Sequence, residues 1–93
     1  MSDRKKIPIY RGVMKYFPDA LKEVAKTSYV ATLQHHPDKE MFWDRNKSND
    51  NYDAMLRHLI DHEKNAIDDD GQLHLAKVAW RALAGLQVYL ETN

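Results

Sequence analysis

Apolar residues near the end of the chain recur with helical spacing and cover more than one face of the helix that they predict. Between Asp70 and Glu91 one apolar row follows a 3.6-residue period, and a second row lies beside it. The first row comprises Leu73, Ala76, Ala79, Trp80, Leu83, Leu86, Gln87 and Leu90, and the second comprises Leu75, Val78, Ala82 and Tyr89. One row can pack on this chain's own helices. In a chain of 93 residues, the second row predicts a homo-oligomer assembled through this C-terminal helix.

Two further helices are predicted upstream. Pro18 and Asp19 suit the first turn of a helix, because proline needs no partner there and a carboxylate favours the positive end of the helix dipole. A second helix is predicted to begin at the N-capping residues 48–50 and to end near Asn65. Its apolar face is predicted to contain Tyr52, Met55, Leu56, Leu59 and Ile60.

The segments outside these helices complete the predicted fold. Residues 7–12 are expected to be extended, because Pro8 disfavours a helical Ile7 and Gly12 permits a turn. Residues 34–47 lack periodicity but contain the apolar Met41-Phe42-Trp43, which either caps the core or forms part of a functional loop. The prediction is one all-α domain spanning residues 1–93, a compact three- to four-helix bundle with an extended N-terminal arm.

Composition narrows the classes of function. Fourteen basic residues balance fourteen acidic ones, which argues against a general nucleic-acid-binding protein. The chain has no cysteine, so disulfides, thiolate metal sites and thiol chemistry are excluded. No apolar run is long enough for a membrane span, and no apolar core follows the charged residues 1–6 as a signal peptide would require. We therefore expect a cytoplasmic protein that binds neither nucleic acid nor membrane.

Cationic residues mark a candidate anion site. Arg45 and Lys47 precede a helix N-terminus, whose free N–H groups favour phosphate or carboxylate. His74, Lys77 and Arg81 share one side of the third helix. The residues that could converge on one pocket are Arg45, Arg57, His58, His74, Lys77 and Arg81. The alternative is that Lys77 and Arg81 are ordinary solvated residues.

Histidines and carboxylates leave a metal site open. His58 and His62 are one helical turn apart and His74 follows, which permits a histidine metal site, although such spacing is common by chance. Asp68, Asp69 and Asp70 could hold a cation or could form a solvated turn that caps the next helix. No G-x-S-x-G sequence supports a serine nucleophile, and the chain has no glycine-rich phosphate loop.

Four segments together resemble a known family. These are RGVMKYFPDALKEVAK, FWDRNKS, AMLRHLIDH and DDDGQLHLAKVAWRALAGLQ. They are similar to phage proteins of the dATP/dGTP diphosphohydrolase (N-terminal) family, which are relatives of the all-α MazG-like nucleoside triphosphate pyrophosphohydrolases. The resemblance implies an oligomeric helical protein that binds a purine nucleotide and cleaves a triphosphate to monophosphate and pyrophosphate with Mg²⁺. A phage-encoded protein of this kind would act in the cytoplasm of the host cell.

The resemblance also implies roles for particular residues. Glu23 and Asp68 match acidic positions and would hold Mg²⁺ in an enzyme, with His74 as a phosphate contact or proton donor. Tyr10 or Trp43 would stack on a base or ribose, and phosphate would be held by Arg45, Lys47, Arg57, His58, Lys77 and Arg81. Because few acidic positions match, a non-catalytic sponge for a nucleotide-derived signal, such as a cyclic nucleotide or an ADP-ribose derivative of host defence, is a second hypothesis. A helical adaptor without a small ligand is a third.

Overall fold

The computed structural model describes residues 2–93, except for the side chains of Ser2, Lys47 and Ser48. Its three α-helices are α1 (Pro18–His35), α2 (Asn51–Lys64) and α3 (His74–Thr92). Short 3₁₀ segments span Ser2–Lys6 and Arg45–Asp50. Residues 2–93 contain no β-strand, although Ile67 and Leu73 form an isolated antiparallel bridge in the α2–α3 connection. The prediction of an all-α fold is confirmed.

Helix α3 is the central element, because both α1 and α2 pack against it. Pro18 occupies the first turn of α1, as predicted, and α2 ends at Lys64 with Asn65 as its C-cap. Before α3 the chain turns at Gly71, whose φ of 81° is readily adopted only by glycine. The side chain of Asp70 accepts a hydrogen bond from the Gln72 N–H in this turn, so α3 begins only at His74.

The prediction of an extended N-terminal arm is wrong. Tyr10–Met14 form one turn of π-helix, and Ile9 is also in the right-handed helical region. The Gly12 N–H donates to the Pro8 carbonyl oxygen at 2.7 Å, and a β-carbon at position 12 would lie 3.3 Å from Pro8 Cγ. Glycine therefore lets the turn close tightly on the proline ring, and this closure outweighs the extended preference of the residue before proline.

Most of the apolar face predicted for α2 stays exposed in this chain. Leu56 and Ile60 are 54 % and 61 % exposed, and the buried side of the helix carries Asn51 and Ala54 instead. The pattern was interpreted correctly as helical, but only part of this face meets α3, where the Tyr52 ring lies against Gly85. On α3, Leu83, Leu86 and Leu90 are likewise more than half exposed.

The isolated chain exposes more surface, and is more extended, than a compact protein of its size. Its accessible surface is 7496 Å², whereas a compact monomer of 10.9 kDa exposes about 5,600 Å². Its radius of gyration is 14.7 Å, against about 12 Å for a compact domain of this length. The large apolar side chains on α2 and α3 account for part of the excess surface. No helix among residues 2–93 is both long and apolar enough to cross a membrane.

Candidate functional site

A cleft of about 730 Å³ opens between α1, the segment that follows it, and α3. Helix α1 contributes small and polar residues, the segment 36–44 contributes aromatic rings, and α3 contributes a tryptophan and two cationic side chains. The lining is completed by Asp50, which precedes α2, by His58 in the middle of α2, and by Asp70 before α3. This size suits a ligand as large as a nucleotide.

Aromatic side chains form one part of the cleft. The indole rings of Trp43 and Trp80 meet edge to face, with their centroids 5.6 Å apart. The indole N–H of Trp80 donates to the hydroxyl of Ser28, which fixes α3 against α1. Phe42 packs edge to face on His36 at 4.6 Å. The rings are therefore held by contacts from both sides of the cleft.

Thr32 attaches the aromatic segment to α1. Its hydroxyl is buried, accepts a hydrogen bond from the Phe42 N–H at 3.1 Å and lies 3.0 Å from the Ser28 carbonyl oxygen, to which it can donate. A buried N–H without a partner is costly, so this contact fixes the position of Phe42 and the adjacent Trp43.

Lys77, near the N-terminus of α3, lies between two carboxylates. Its ammonium group donates to Asp68 at 2.7 Å and to Asp70 at 2.8 Å. The hydrogen bond from Lys77 is the main reason that the pKa of Asp68 is lowered. Burial is the largest single influence and would raise the pKa of Asp70 and lower that of Lys77, but the surrounding hydrogen bonds and opposite charges together outweigh it, so the pKa of Asp70 is lowered and that of Lys77 is raised. All three groups are therefore charged at neutral pH.

Two arginines lie near the tryptophans. The Arg81 guanidinium is 5.6 Å from the centroid of the Trp80 ring, and its Nη1 donates to Asn51 at 2.9 Å. The Arg45 guanidinium is 4.1 Å from the centroid of the Trp43 ring and also pairs with Glu91. Such cation–π contacts orient the guanidinium groups and leave further N–H groups available for acceptors.

Two histidines and a carboxylate meet where α2, the α2–α3 connection and α3 converge. The Nδ1 atoms of His58 and His74 are 3.0 Å apart, and each is 3.9 Å from Asp68 Oδ2. Burial, followed by the charge of Lys77, lowers the pKa of His58 and favours its neutral form. Among the described residues this is the group of three metal-ligating side chains that lie close together.

The structure brings part of the predicted set into the cleft. Trp43, His58, Lys77 and Arg81 line it directly. Asp68 and His74 adjoin it through their contacts with Lys77 and His58.

The other predicted site residues lie elsewhere in this chain. Tyr10 lines a separate apolar depression with Met14 and Leu21. Glu23 pairs with Lys26 and, like the exposed Arg57, is not among the cleft residues. Arg45 stacks beside the cleft on Trp43, and the side chain of Lys47 lies outside the described residues.

Trp80 and Asp70 are among the cleft residues that were not identified as site residues from the sequence. Trp80 was placed in an apolar row facing the core, although its indole N–H requires a polar partner when buried and so indicated a polar neighbour. Asp70 was interpreted as part of a turn. It does bind the Gln72 N–H, but its other oxygen accepts from Lys77 and Gln34.

The fold and the cleft define an all-α protein with a mixed aromatic and charged site. The chain belongs to the dATP/dGTP diphosphohydrolase, N-terminal family, whose model matches residues 2–93. This match confirms the family suspected from the sequence. Neither the search of curated proteins nor the search of solved structures gave a significant match.

The Lys77→Met variant should lose about 1 to 3 kcal/mol of unfolding free energy, because it leaves two partly buried carboxylates close together without their cation. Lys26→Met is the matched control, since Lys26 forms an ion pair of similar length with Glu23 at an exposed site. The control should lose less than about 0.5 kcal/mol. Urea unfolding at equal protein concentration measures both, and equal losses would contradict a structural role for the Lys77 pair.

Proposed function

We propose that the cleft binds a purine nucleotide. The observation that carries this proposal is the close placement of two indole rings and two cationic side chains in one cleft of suitable volume. Membership of the family supports a purine nucleotide as the class of ligand. In this arrangement a base stacks on Trp43 or Trp80, while Arg81 and Lys77 donate hydrogen bonds to phosphate or ribose oxygens.

The charges of the cleft favour a ligand with few uncompensated negative charges. Three aspartates line it, Asp44, Asp50 and Asp70, against the two cations Lys77 and Arg81. Lys77 is also shared with Asp68. A bare triphosphate would therefore be repelled unless a cation accompanied it. This balance supports aromatic stacking as the main source of affinity.

A magnesium site of the kind that the resemblance implies does not fit the residues of this chain. Mg²⁺ prefers several oxygen ligands in octahedral geometry. Lys77 lies between Asp68 and Asp70, so these two carboxylates cannot share one Mg²⁺ ion, and the other potential ligands beside Asp68 are two imidazole nitrogens. Glu23 pairs with Lys26 away from the cleft lining. We therefore derive no hydrolytic step from this single chain.

The misfit of these residues to a magnesium site favours a second candidate function, which is binding without cleavage. A sponge needs a cleft that encloses a nucleotide-derived signal, and it needs no group that activates water. Cyclic nucleotides carry less negative charge than triphosphates, which suits a lining with more carboxylates than cations. In this role the protein would remove such a signal from solution as an anti-defence protein.

Incubation with purine nucleoside triphosphates, cyclic nucleotides and ADP-ribose-type compounds in the presence of Mg²⁺ tests both candidates. After heat denaturation, mass spectrometry identifies the released species. Monophosphate and pyrophosphate in excess over protein would establish hydrolysis, and one intact compound per site would establish the sponge. If turnover occurs, the Glu23→Ala and Asp68→Ala variants test the metal-binding roles that the resemblance implies, and unchanged turnover in both would exclude those roles.

Arg81→Gln provides the test of the cleft itself. Loss of a charge-assisted hydrogen bond should weaken binding by about tenfold or more. Arg11→Gln is the control, because Arg11 is exposed in the N-terminal turn and does not line the cleft. Unchanged affinity in Arg81→Gln, or no binding of any purine compound by the parent protein, would contradict the proposal.

We also propose that the chain assembles with copies of itself through the apolar faces of α2 and α3. The chain exposes about 1,900 Å² more surface than a compact monomer, or about 3,800 Å² over two copies, which is within the range of total area buried in obligate homodimers. Its fully buried apolar residues are the three small alanines Ala54, Ala76 and Ala84 among the described residues. A second copy carries the same apolar faces, so a symmetric contact would bury the faces of both chains.

Light scattering after size-exclusion chromatography should give a mass of at least twice 10.9 kDa. Leu86→Lys should reduce this mass, because Leu86 is 55 % exposed on α3 and a charge there opposes burial in an interface. Thr92→Lys places the same charge at the exposed end of α3 and should leave the mass unchanged. A monomeric parent protein would refute the assembly.

A further inference from the structure

We propose that His58, Asp68 and His74 form a binding site for one divalent transition-metal ion of the zinc class. His58 comes from α2, Asp68 from the α2–α3 connection and His74 from the first turn of α3. One ligand atom of each residue lies within 4.8 Å of the others. The proposal concerns metal binding by the chain alone and does not depend on the nucleotide.

The separations of the three ligand atoms suit a metal ion. The sides of the triangle are 3.0 Å between the two Nδ1 atoms and 3.9 Å from each of them to Asp68 Oδ2. A point equidistant from all three atoms lies about 2.1 Å from each, which is the usual length of a Zn–N or Zn–O bond.

The Nδ1 atoms of His58 and His74 face each other at a distance that requires a proton or a cation between them. His74 is buried and the side chain of His58 is only 16 % exposed. Two unprotonated Nδ1 atoms at 3.0 Å would repel each other, so either a proton on one of them or a shared cation must hold them together. With a cation bound, each neutral ring carries its proton on Nε2.

The donor set selects the class of ion. Two imidazole nitrogens and one carboxylate oxygen suit Zn²⁺, Co²⁺ or Ni²⁺, whereas Mg²⁺ and Ca²⁺ prefer oxygen ligands. Three protein ligands leave a fourth position for water. Lys77 donates to the same Asp68 oxygen at 2.7 Å, and a carboxylate oxygen has lone pairs for both partners. The nearby ammonium charge should reduce the affinity for a cation without blocking the site.

Metal titration of the chelator-treated full chain tests the site. Zn²⁺ affinity is measured by competition with a chromophoric chelator, and the visible absorption of added Co²⁺ reports its coordination. We expect one ion per chain and a Co²⁺ spectrum typical of nitrogen and oxygen ligands at low coordination number. The His58→Gln and Asp68→Asn variants should each weaken binding by at least about tenfold.

A matched control variant makes the test specific. His35→Gln serves as this control, because His35 lines the cleft but lies outside the triangle, and its metal affinity should equal that of the parent protein. Circular dichroism shows whether each variant is folded. Equal affinities in the parent, His58→Gln and His35→Gln proteins, or no binding by the parent, would overturn the proposal.

Discussion

The ammonium group of Lys77 lies between the carboxylates of Asp68 and Asp70, and much of the site depends on this contact. It holds the α2–α3 connection against the first turns of α3. That position places Asp68 beside the two histidines and Asp70 within reach of Gln34 on α1. Because all three groups are only partly exposed, water screens their attraction less than it would at the surface.

Besides the Lys77 contact, the structure depends on how apolar surface is distributed over its helices. Helix α2 turns its leucines and isoleucine outward and buries Asn51, Ala54 and part of His58 instead. A small chain with so little buried apolar volume gains little stability from its own core. Self-assembly would bury the remaining apolar surface, and a polar inner face would then be free to form the cleft. Stability and binding would thus use opposite sides of the same helices.

The sequence predicted the helices well because their periodicity and end signals are local. Pro18 at the start of α1 and Asn65 at the end of α2 are examples. It did not determine what covers the apolar face of α2, where Leu56 and Ile60 stay exposed in this chain, because a periodic pattern marks a face without identifying the surface that packs on it. The N-terminal turn was missed because Gly12 closes on Pro8 through a specific contact. The pairing of His58 with His74 depends on the path of the α2–α3 connection, and spacing alone does not determine that path.

In the proposed binding mode, a purine base stacks on the indole rings of the cleft. The chain has two tryptophans, Trp43 and Trp80, and both line this cleft, so tryptophan emission reports on it directly. Emission excited at the red edge of tryptophan absorption should be quenched saturably as a purine nucleotide is added, with the same affinity that calorimetry gives. Binding by calorimetry with unchanged tryptophan emission would place the ligand elsewhere and contradict this binding mode.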